Sequence, residues 1–247
     1  MTAVVKQATS ATLQIHGLSK GFDGLRVLED IDIELEGAGA FWGLIGPNGS
    51  GKTTLFNCIS GHLRPDRGNV LMSGRQMKLS DPRSASRQGL GRTFQQSRVF
   101  ARMSVMENLL AAGRTCEDPR ERAHRLLDLV ELRHLAGHAA GTLSIGQQKL
   151  VELVRALMPA PQLVLLDEIA AGIHPRMVQR IAGYLRELSR DGTRFFLVEH
   201  DVDFVSDLCH QLFVLNAGSV LASGPPHEVL ARQDVIHAYI GPTSAEV

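Results

Sequence analysis

The feature that most constrains this chain is a glycine-rich string, Gly46-Pro47-Asn48-Gly49-Ser50-Gly51-Lys52-Thr53, which fits the pattern G-x-x-x-x-G-K-[ST]. An apolar run at residues 40–45 precedes it and a helix-like stretch at residues 52–60 follows it. The glycines allow the backbone to wrap around an anion, so that amide groups and a helix N-terminus point at phosphates. Lys52 can supply a charge to the β and γ phosphates, the Thr53 hydroxyl can coordinate Mg²⁺, and Thr54 can add a phosphate contact. The string therefore predicts a nucleotide phosphate site.

A second apolar run, residues 163–166, ends in two carboxylates, Asp167 and Glu168. At the carboxyl end of a strand beside the phosphate loop, Asp167 can hold the Mg²⁺ shell and Glu168 can polarise an attacking water as general base. Taken alone, the pattern fits a strand that runs into a solvated acidic turn equally well. The glycine-rich string favours the catalytic interpretation, which predicts hydrolysis of a nucleoside triphosphate.

Hydrophobic periodicity predicts an α/β chain with a helical insert. Alternation near the N-terminus indicates antiparallel strands, and the later apolar runs, separated by helical stretches, indicate a parallel sheet. Strand signals lie at residues 12–15, 31–35, 40–45, 163–166, 195–198, 212–215 and 219–222, and helical signals lie at residues 52–60, 103–158 and 234–239.

Charge and cysteine usage exclude several classes of protein. The 26 basic and 26 acidic residues give a formal net charge of zero, so no overall field draws the chain to nucleic acid or anionic lipid. Three widely spaced cysteines without a C-x-x-C pair argue against a disulfide framework or a zinc site, and we expect all three to be buried. No apolar run is long enough to span a bilayer or to serve as a signal peptide. We therefore expect any membrane contact to be made through another protein.

The string Leu143-Ser144-Ile145-Gly146-Gln147-Gln148, followed by Arg155-Ala156-Leu157, resembles the LSGGQ signature of ABC ATPases. The Ser144 hydroxyl, the close backbone approach that Gly146 allows and a helix N-terminus would together form another anion receptor. By itself the string also fits a plain helix N-cap, with Ser144 capping and Gln147 at the third helical position. Its spacing to the acidic strand favours the signature.

Three further residues fit the same family by order and context. Gln95, in the string Arg92-Thr93-Phe94-Gln95-Gln96, resembles the Q-loop glutamine, and its neighbour is the less suitable occupant. His200 resembles the switch histidine that contacts the γ-phosphate, although a solvated histidine at a strand end is an open alternative. Phe22 resembles the aromatic residue that stacks on adenine, and a core aromatic beside a hairpin is the alternative there.

The resemblance implies a P-loop NTPase (RecA-like) core with an antiparallel β subdomain and an inserted α-helical subdomain. It implies a tail at residues 1–10 and an ATPase domain at residues 11–247, with the core at residues 11–96 and 160–247 and the helical subdomain at residues 97–159. ATP and Mg²⁺ are the implied cofactors, and Glu168, His200 and Gln95 the implied catalytic residues. The implied ATP-binding residues are Phe22, Gly46, Asn48, Gly49, Ser50, Gly51, Lys52, Thr53, Thr54, Ser144, Gly146 and Gln147, and the implied Mg²⁺ residues are Thr53, Gln95 and Asp167.

In this family two chains form a head-to-tail dimer, in which the signature of each closes on the γ-phosphate held by the other. The string Ala171-Gly172-Ile173-His174-Pro175 and the R-T-F-Q form of the Q-loop are similar to uptake ATPases for hydrophobic amino acids. The implied partners are a second ATPase subunit (a copy or a paralogue), two transmembrane permease subunits and, indirectly, an extracytoplasmic binding protein, with no nucleic acid. The implied location is peripheral, on the cytoplasmic face of the cell membrane.

The same comparison predicts where a permease docks. A short permease helix would enter the groove beside the Q-loop, against Val99, Phe100 and Met103. Core packing of the helical insert is an equally suitable role for each of these three residues.

One position departs from the family, because Ile169 stands where proline usually follows the catalytic carboxylate. Loss of proline removes a fixed φ from this turn, which would loosen the loop that couples the two sites. We predict slower ATP hydrolysis by the natural chain than by an Ile169→Pro variant, measured as steady-state turnover. Equal rates would contradict this.

Two other functions fit parts of the sequence. A soluble ABC ATPase of DNA repair or translation would share the nucleotide site, but such proteins carry coiled-coil insertions, tandem ATPase domains or basic surfaces. A partner that binds ATP without hydrolysing it would have no use for Glu168 and His200. Branched-chain amino acids are the expected substrate by subfamily, with urea, amides and aromatic acids as alternatives.

Overall fold

The computed structural model describes residues 12–37, 41–79, 81–114 and 116–240 of the chain, which contain both strands and helices. The strands are β1 (Leu13–Phe22), β2 (Leu25–Leu35), β3 (Phe41–Ile45), β4 (Arg67–Met72), β5 (Arg75–Gln76), β6 (Leu90–Arg92), β7 (Leu163–Asp167), β8 (Arg194–Val198), β9 (Gln211–Asn216) and β10 (Ser219–Gly224). The helices are α1 (Lys52–Ile59), α2 (Pro82–Arg87), α3 (Val105–Ala112), α4 (Pro119–Leu129), α5 (Ile145–Leu157), α6 (Pro175–Arg190), α7 (Val202–Leu208), α8 (Pro226–Leu230) and α9 (Gln233–Ile240). The predicted tail at residues 1–10 and the first residue of the predicted third strand, Ala40, lie outside the described residues.

The central strands of the larger sheet, β3, β7, β8 and β9, are buried on both faces, which explains why they are nearly continuous apolar runs. Its strand order is β10-β9-β3-β8-β7-β6, with β10 antiparallel to β9 and every other neighbouring pair parallel. Along β7, Leu163 and Leu165 join one core cluster while Val164 and Leu166 join the other. Since both faces need apolar side chains, the run cannot alternate with polar residues. The predicted parallel sheet is confirmed.

The smaller sheet is antiparallel and covers one face of the larger sheet. Its strand order is β2-β1-β4-β5, and Leu13 of β1 lies opposite Leu35 of β2. Its inward side chains pack with those of α1 and of the larger sheet in one core cluster. The two predicted early strands are confirmed, although β1 and β2 extend to the turn that joins them.

The helical insert, which lies between β6 and β7 in the sequence, covers the opposite face of the larger sheet. It consists of α3, α4 and α5 with two 3₁₀ turns, Arg133–Leu135 and Ala140–Thr142. Its apolar side chains pack in the second core cluster with those of α6 and α7. In the described ranges no helix is both long enough and apolar enough to cross a membrane.

Two features differ from the expectations drawn from the sequence. The segment between α1 and the Q-loop contains β4, β5, α2 and β6, none of which the apolar pattern indicates. All four elements are short, and most residues of β4, β5 and α2 are exposed or half-buried. The expectation that all three cysteines are buried is wrong for Cys116, which is only partly buried, whereas Cys58 and Cys209 are buried. The Cys116 thiol donates to the Met158 carbonyl over 2.8 Å, so a polar contact holds it near the surface.

Candidate functional site

Most of the predicted phosphate-binding and catalytic residues meet at one edge of the larger sheet, where the parallel strands β3, β6, β7 and β8 end. The carboxyl ends of parallel strands form one edge, and ligands of α/β proteins bind there. A cavity of about 440 Å³ lies at this edge. It is lined by Val27, Asn48, Gly49, Gly51, Lys52, Thr53, Thr54, Gln95, Glu168 and His200. All of these except Val27, which belongs to β2, were predicted from the sequence.

The phosphate loop has a backbone conformation that depends on glycine. Gly51 has a φ of 106°, in the region that favours glycine. A side chain at Gly46 would place its Cβ 2.1 Å from the Leu215 carbonyl oxygen, so the loop passes too close to β9 for any other residue. The Lys52 ammonium donates to the carbonyls of Gly46 and Pro47, over 2.7 and 3.0 Å. Burial lowers the pKa of Lys52, and these contacts hold its ammonium within the loop.

Helix α1 begins at this loop without a side-chain cap. Its N-cap is Gly51, whereas α2 to α7, within the described residues, each have an N-cap side chain that accepts from the first turn. The Ser50 hydroxyl beside it is buried and has no hydrogen-bond partner. Orphan amides at a helix N-terminus are satisfied by anions as readily as by side chains. The loop and the start of α1 therefore fit the phosphates of ATP.

Three side chains that follow different strands contact one another at the cavity. Gln95 donates from Nε2 to one carboxylate oxygen of Glu168 over 2.8 Å, and His200 Nε2 lies 3.1 Å from the other oxygen. Gln96, the alternative Q-loop residue, is exposed and makes no such contact among the described residues. The carboxylate of Glu168 is thus held on both sides and faces the phosphate loop across the cavity.

Asp167 lies beneath this cluster and is bound by the residues that precede Gln95. The Arg92 guanidinium contacts one carboxylate oxygen over 3.1 Å, and the Thr93 hydroxyl accepts from the Asp167 amide over 3.2 Å. The other carboxylate oxygen, Oδ1, is buried and unpartnered. Burial raises the pKa of Asp167, and the Arg92 charge opposes this shift. A buried carboxylate oxygen without a donor fits a divalent cation or its bound water, so the residues present fit Mg²⁺.

Four charged residues at or below the site were not identified from the sequence: Arg92, Lys149, Glu152 and Glu199, all buried or nearly so. Lys149 and Glu152 lie three residues apart on α5, among apolar residues that pack in the core. Charged residues at apolar positions of a helix are the signal that could have indicated them.

The predicted signature residues lie outside the cavity lining. Ser144 and Gln147 form a capping box at the start of α5: the Ser144 hydroxyl accepts from the Gln147 amide, and the Gln147 side chain accepts from the Ser144 amide. Gly146 is buried against Met177 and Ile173, and an added Cβ would lie 3.3 Å from the Met177 side chain. The N-cap interpretation is confirmed. An anion-binding role of this segment stays a prediction.

The remaining predicted residues differ in exposure. Phe22 ends β1 with 42% of its surface exposed, so the alternative that it is a core aromatic is wrong. Phe100 is 52% exposed, whereas Val99 and Met103 are partly buried. Only Phe100 of these three offers an open apolar surface beside the Q-loop.

The turn after Glu168 is packed into the core. Ile169, at the position where the family has proline, is buried in the same core cluster as the helical insert. His174 caps α6, because its Nδ1 accepts from the Arg176 amide over 3.2 Å. The Ile169→Pro comparison stays a prediction.

Comparison with known proteins gives consistent matches along the chain. The profile of the ABC transporter family matches residues 28–171. The probable branched-chain amino acid transport ATP-binding protein LivG of Archaeoglobus fulgidus is 37% identical over 251 residues, which cover 95% of this chain and 97% of that protein. The lipopolysaccharide export system ATP-binding protein LptB of Escherichia coli is 32% identical, with coverage of 94% and 98%.

Two solved structures are similar over most of the chain. The ADP conformation of MJ1267, an ATP-binding cassette of an ABC transporter, superposes with a TM-score of 0.85 at 32% identity and covers 94% of this chain and 100% of that one. The dimeric structure of MJ0796, a bacterial ABC transporter cassette, has a TM-score of 0.77 at 25% identity and covers 87% of this chain and 98% of that one.

Proposed function

The chain belongs to the ATP-binding subunits of ABC transporters, and from that premise we propose that it hydrolyses ATP as one half of a dimer and thereby drives solute uptake through two membrane permeases. The observation that carries this proposal is the meeting of Gln95, Glu168 and His200 across one cavity from the phosphate loop. These residues come from three separate segments, and a carboxylate held on both sides is suited to orienting and deprotonating a water.

The roles that we propose follow from these contacts. Glu168 acts as general base toward the attacking water, and Gln95 and His200 fix its carboxylate. Lys52, now bonded to the loop carbonyls, turns to the β and γ phosphates when nucleotide enters. Phe22 supplies an exposed ring for adenine.

We assign Mg²⁺ to Thr53, Gln95 and Asp167. The unpartnered Oδ1 of Asp167 supports this assignment, and Thr53 and Gln95 line the adjoining cavity. Bound Mg²⁺ would neutralise charge that develops on the phosphates. The chain's own contribution is to hold Asp167 rigidly, through Arg92 on one side and Thr93 on the other.

The proposed dimer gives a role to the predicted anion receptor at the start of α5, which lies outside the cavity. Ser144 and Gln147 are exposed or half-exposed at the start of α5 and do not line the cavity that contains Lys52. A second chain in head-to-tail arrangement would present its α5 N-terminus to the γ-phosphate. MJ0796 has a similar fold and a dimeric structure, which supports a dimer for this chain.

The dimer is tested with a Glu168→Gln variant, which keeps the shape of the site and loses the base. In the presence of ATP and Mg²⁺, and with its ATPase partner supplied, this variant should form a stable two-subunit complex in light scattering after gel filtration. The double variant Glu168→Gln, Lys52→Ala is the control and should stay monomeric, because it loses the phosphate contact. A monomeric Glu168→Gln chain at saturating ATP would overturn the proposal.

The permease contact is proposed at the Q-loop face. The exposed Phe100 ring lies there with the Arg155 guanidinium 5.4 Å from its centroid, and this apolar and cationic surface suits one side of a short helix. Phe100→Asp should abolish copurification with the permeases and leave the nucleotide site intact. Leu25→Asp is the control, because Leu25 is an even more exposed apolar residue at the start of β2 in the smaller sheet. Equal copurification of both variants would contradict this docking face.

Uptake of branched-chain or related hydrophobic amino acids is the proposed direction and substrate class. The identity to LivG, a branched-chain amino acid transport protein, and the A-G-I-H-P string support it. The identity to LptB, an export protein, makes export the second candidate.

Transport is tested on the complete complex, which includes the permeases encoded by neighbouring genes. The complex is reconstituted in vesicles so that this chain faces the lumen, which contains the ATP. We expect ATP-dependent accumulation of labelled leucine in the presence of the binding protein, and none with Glu168→Gln. Outward transport would favour the export function. Absence of neighbouring permease genes, together with ATPase activity that needs no membrane subunit, would favour a soluble ABC ATPase.

A further inference from the structure

Lys149 connects the signature helix to the backbone of the catalytic glutamate. It lies in the second turn of α5 with only 6% of its surface exposed, and its ammonium donates to the Glu168 carbonyl oxygen over 2.5 Å. That carbonyl also accepts from the Ala171 amide over 3.2 Å. The ammonium therefore joins α5, which begins with Ser144, to the turn that follows β7.

The backbone of Glu168 needs such support. Its φ is 51°, in the left-handed region that residues with a side chain rarely occupy. Such conformations persist where the surrounding contacts fix them, and they concentrate at functional sites. Three hydrogen bonds fix this one: the Glu168 amide donates to Val198, and the Glu168 carbonyl accepts from Ala171 and Lys149.

Two buried carboxylates accompany the Lys149 ammonium. Glu199, the residue before His200, accepts from the Ala170 amide over 2.8 Å, and burial raises its pKa to about 7. Glu152, one turn beyond Lys149 on α5, accepts from the Phe94 amide over 3.2 Å. Both carboxylates oppose the burial effect that lowers the pKa of Lys149. They also anchor the cluster to the two segments that carry Gln95 and His200.

We propose that Lys149 is a positioning residue, which sets the orientation of the Glu168 carboxylate according to the position of the signature helix in the same chain. Glu199 binds the turn after β7, Glu152 binds the Q-loop, and the charges of both act on the Lys149 ammonium. A displacement of α5 on dimer closure would thus move the Glu168 backbone directly. This rests on the proposed function, in which the signature segment contacts the nucleotide of the partner chain and Glu168 is the base.

The test compares Lys149→Met, which keeps the aliphatic stem and removes the donor, with Lys149→Arg, which keeps a cationic donor. Single-turnover hydrolysis is measured on the full-length chain with its ATPase partner, and ATP affinity is measured separately. We expect Lys149→Met to lower the single-turnover rate constant by about 10- to 100-fold, the range found when the hydrogen-bond partner that supports an active-site ligand is removed, with ATP affinity and ATP-driven dimerisation unchanged. Lys149→Arg should restore most of the rate.

Lys149→Met removes both a buried positive charge and a hydrogen bond to Glu168. The double variant Lys149→Met, Glu199→Gln distinguishes the two effects, because it removes a neighbouring negative charge as well. The pair should recover much of the melting temperature that Lys149→Met loses, because position 199 no longer holds a buried carboxylate without its cation, and it should stay slow. Should Lys149→Met be too unstable to purify, the pair alone provides the rate comparison.

The matched control is Arg122→Met. Arg122 also donates from its cationic side chain to backbone carbonyls of the α5 end, Leu157 and Met158, over 2.8 and 2.9 Å, but it does not contact Glu168. Its rate should equal that of the natural chain. The inference is overturned by an unaltered rate in Lys149→Met, or by a rate that recovers together with stability in the pair. A natural chain that turns over no ATP would overturn the proposed function as well, whereas the other outcomes leave it intact.

Discussion

At the scale of single residues, the charged groups buried below the cavity determine how the site is held. Arg92 illustrates this, because one guanidinium contacts the Asp167 carboxylate, the Ser60 hydroxyl and the Phe56 carbonyl. It fixes the end of β7 against the end of α1, and these elements carry the proposed Mg²⁺ residues Asp167 and Thr53. These contacts give the arginine of the R-T-F-Q string a structural role below the site.

We predict that Arg92→Met lowers the free energy of unfolding by about 3–5 kcal/mol, since it leaves a buried carboxylate without its partner. Denaturant unfolding monitored by circular dichroism measures the loss. Arg133→Met is the control: Arg133 pairs with Asp128 at the surface, where both side chains are about half exposed, and its removal should cost under about 1 kcal/mol. Similar losses in the two variants would show that the Arg92 pair is not buried as described.

Glu199 predicts a pH dependence of stability. Burial raises its pKa from 4.5 to about 7, so between these pH values the folded chain keeps a proton that the unfolded chain releases. The stability from this proton is complete below pH 4.5 and is lost as the pH rises through 7.

The natural chain and a Glu199→Gln variant are compared by denaturant unfolding at a series of pH values. Their difference in unfolding free energy should change by about 3 kcal/mol across this window, to the disadvantage of the natural chain at high pH. Subtraction cancels the titration of groups common to both chains. A difference that is flat with pH would contradict a raised pKa at Glu199.

Single residues also mark the limit of what the sequence could predict. Motif spacing assigns Asn48, Lys52, Thr53, Gln95, Glu168 and His200 to one nucleotide site, and the structure places all six in the lining of one cavity. Lys149 and Glu199 were not identified, since an isolated charge in a sequence is normally solvated. Their burial depends on packing between α5, β7 and β8, which no local pattern contains.

At the scale of elements, α3 and α5 begin with the same device. Ser104 and Glu107 cap α3 as Ser144 and Gln147 cap α5, each with reciprocal hydrogen bonds between the N-cap and the third helical residue. Only the α5 cap lies in the proposed signature. Comparison of the two caps can therefore distinguish the contribution of capping to stability from a contact with nucleotide.

We predict that Ser104→Ala and Ser144→Ala each lower the unfolding free energy by about 1 kcal/mol, the usual value of an N-cap. Only Ser144→Ala should slow ATP turnover, because its hydroxyl also contacts the partner's γ-phosphate in the proposed dimer. Thermal unfolding and turnover are measured on the same preparations. Equal turnover in the two variants would reduce the signature serine to a capping residue.

Element prediction succeeded where burial dictates composition. The strands β3, β7, β8 and β9 are apolar on both faces, so their runs stand out in the sequence. The three-residue strand β6 and the largely exposed β5 have no such run, and they form because neighbouring strands offer hydrogen-bond partners. Pairing of this kind is a tertiary effect that propensity does not register.

At the scale of the whole molecule, two apolar cores lie on opposite faces of the larger sheet, and the cavity lies at the edge of that sheet. Residues that line the cavity come from the smaller sheet, α1, the Q-loop and the strand ends. Nucleotide bound there would contact most parts of the fold at once. Its binding should therefore be visible in the stability of the entire chain.

We predict that ATP raises the melting temperature of the chain, with a stabilisation of about 2.7 kcal/mol when ATP is at 100 times its Kd. Lys52→Ala should abolish the shift, and Glu168→Gln should retain it. Lys78→Ala is the control, because Lys78 is an exposed lysine outside the cavity lining. The same shift in Lys52→Ala and the natural chain would place the nucleotide elsewhere.

The uncapped start of α1 has a consequence for the nucleotide-free chain. In α2 to α7 an N-cap side chain accepts hydrogen bonds from the first-turn amides, whereas in α1 no side chain does so and the phosphates of a bound nucleotide would take this role. The phosphates then serve as the N-cap of α1, which is present only while nucleotide is bound. Amide hydrogen exchange in the first turn of α1 should therefore be faster in the nucleotide-free chain than in the ATP-bound chain.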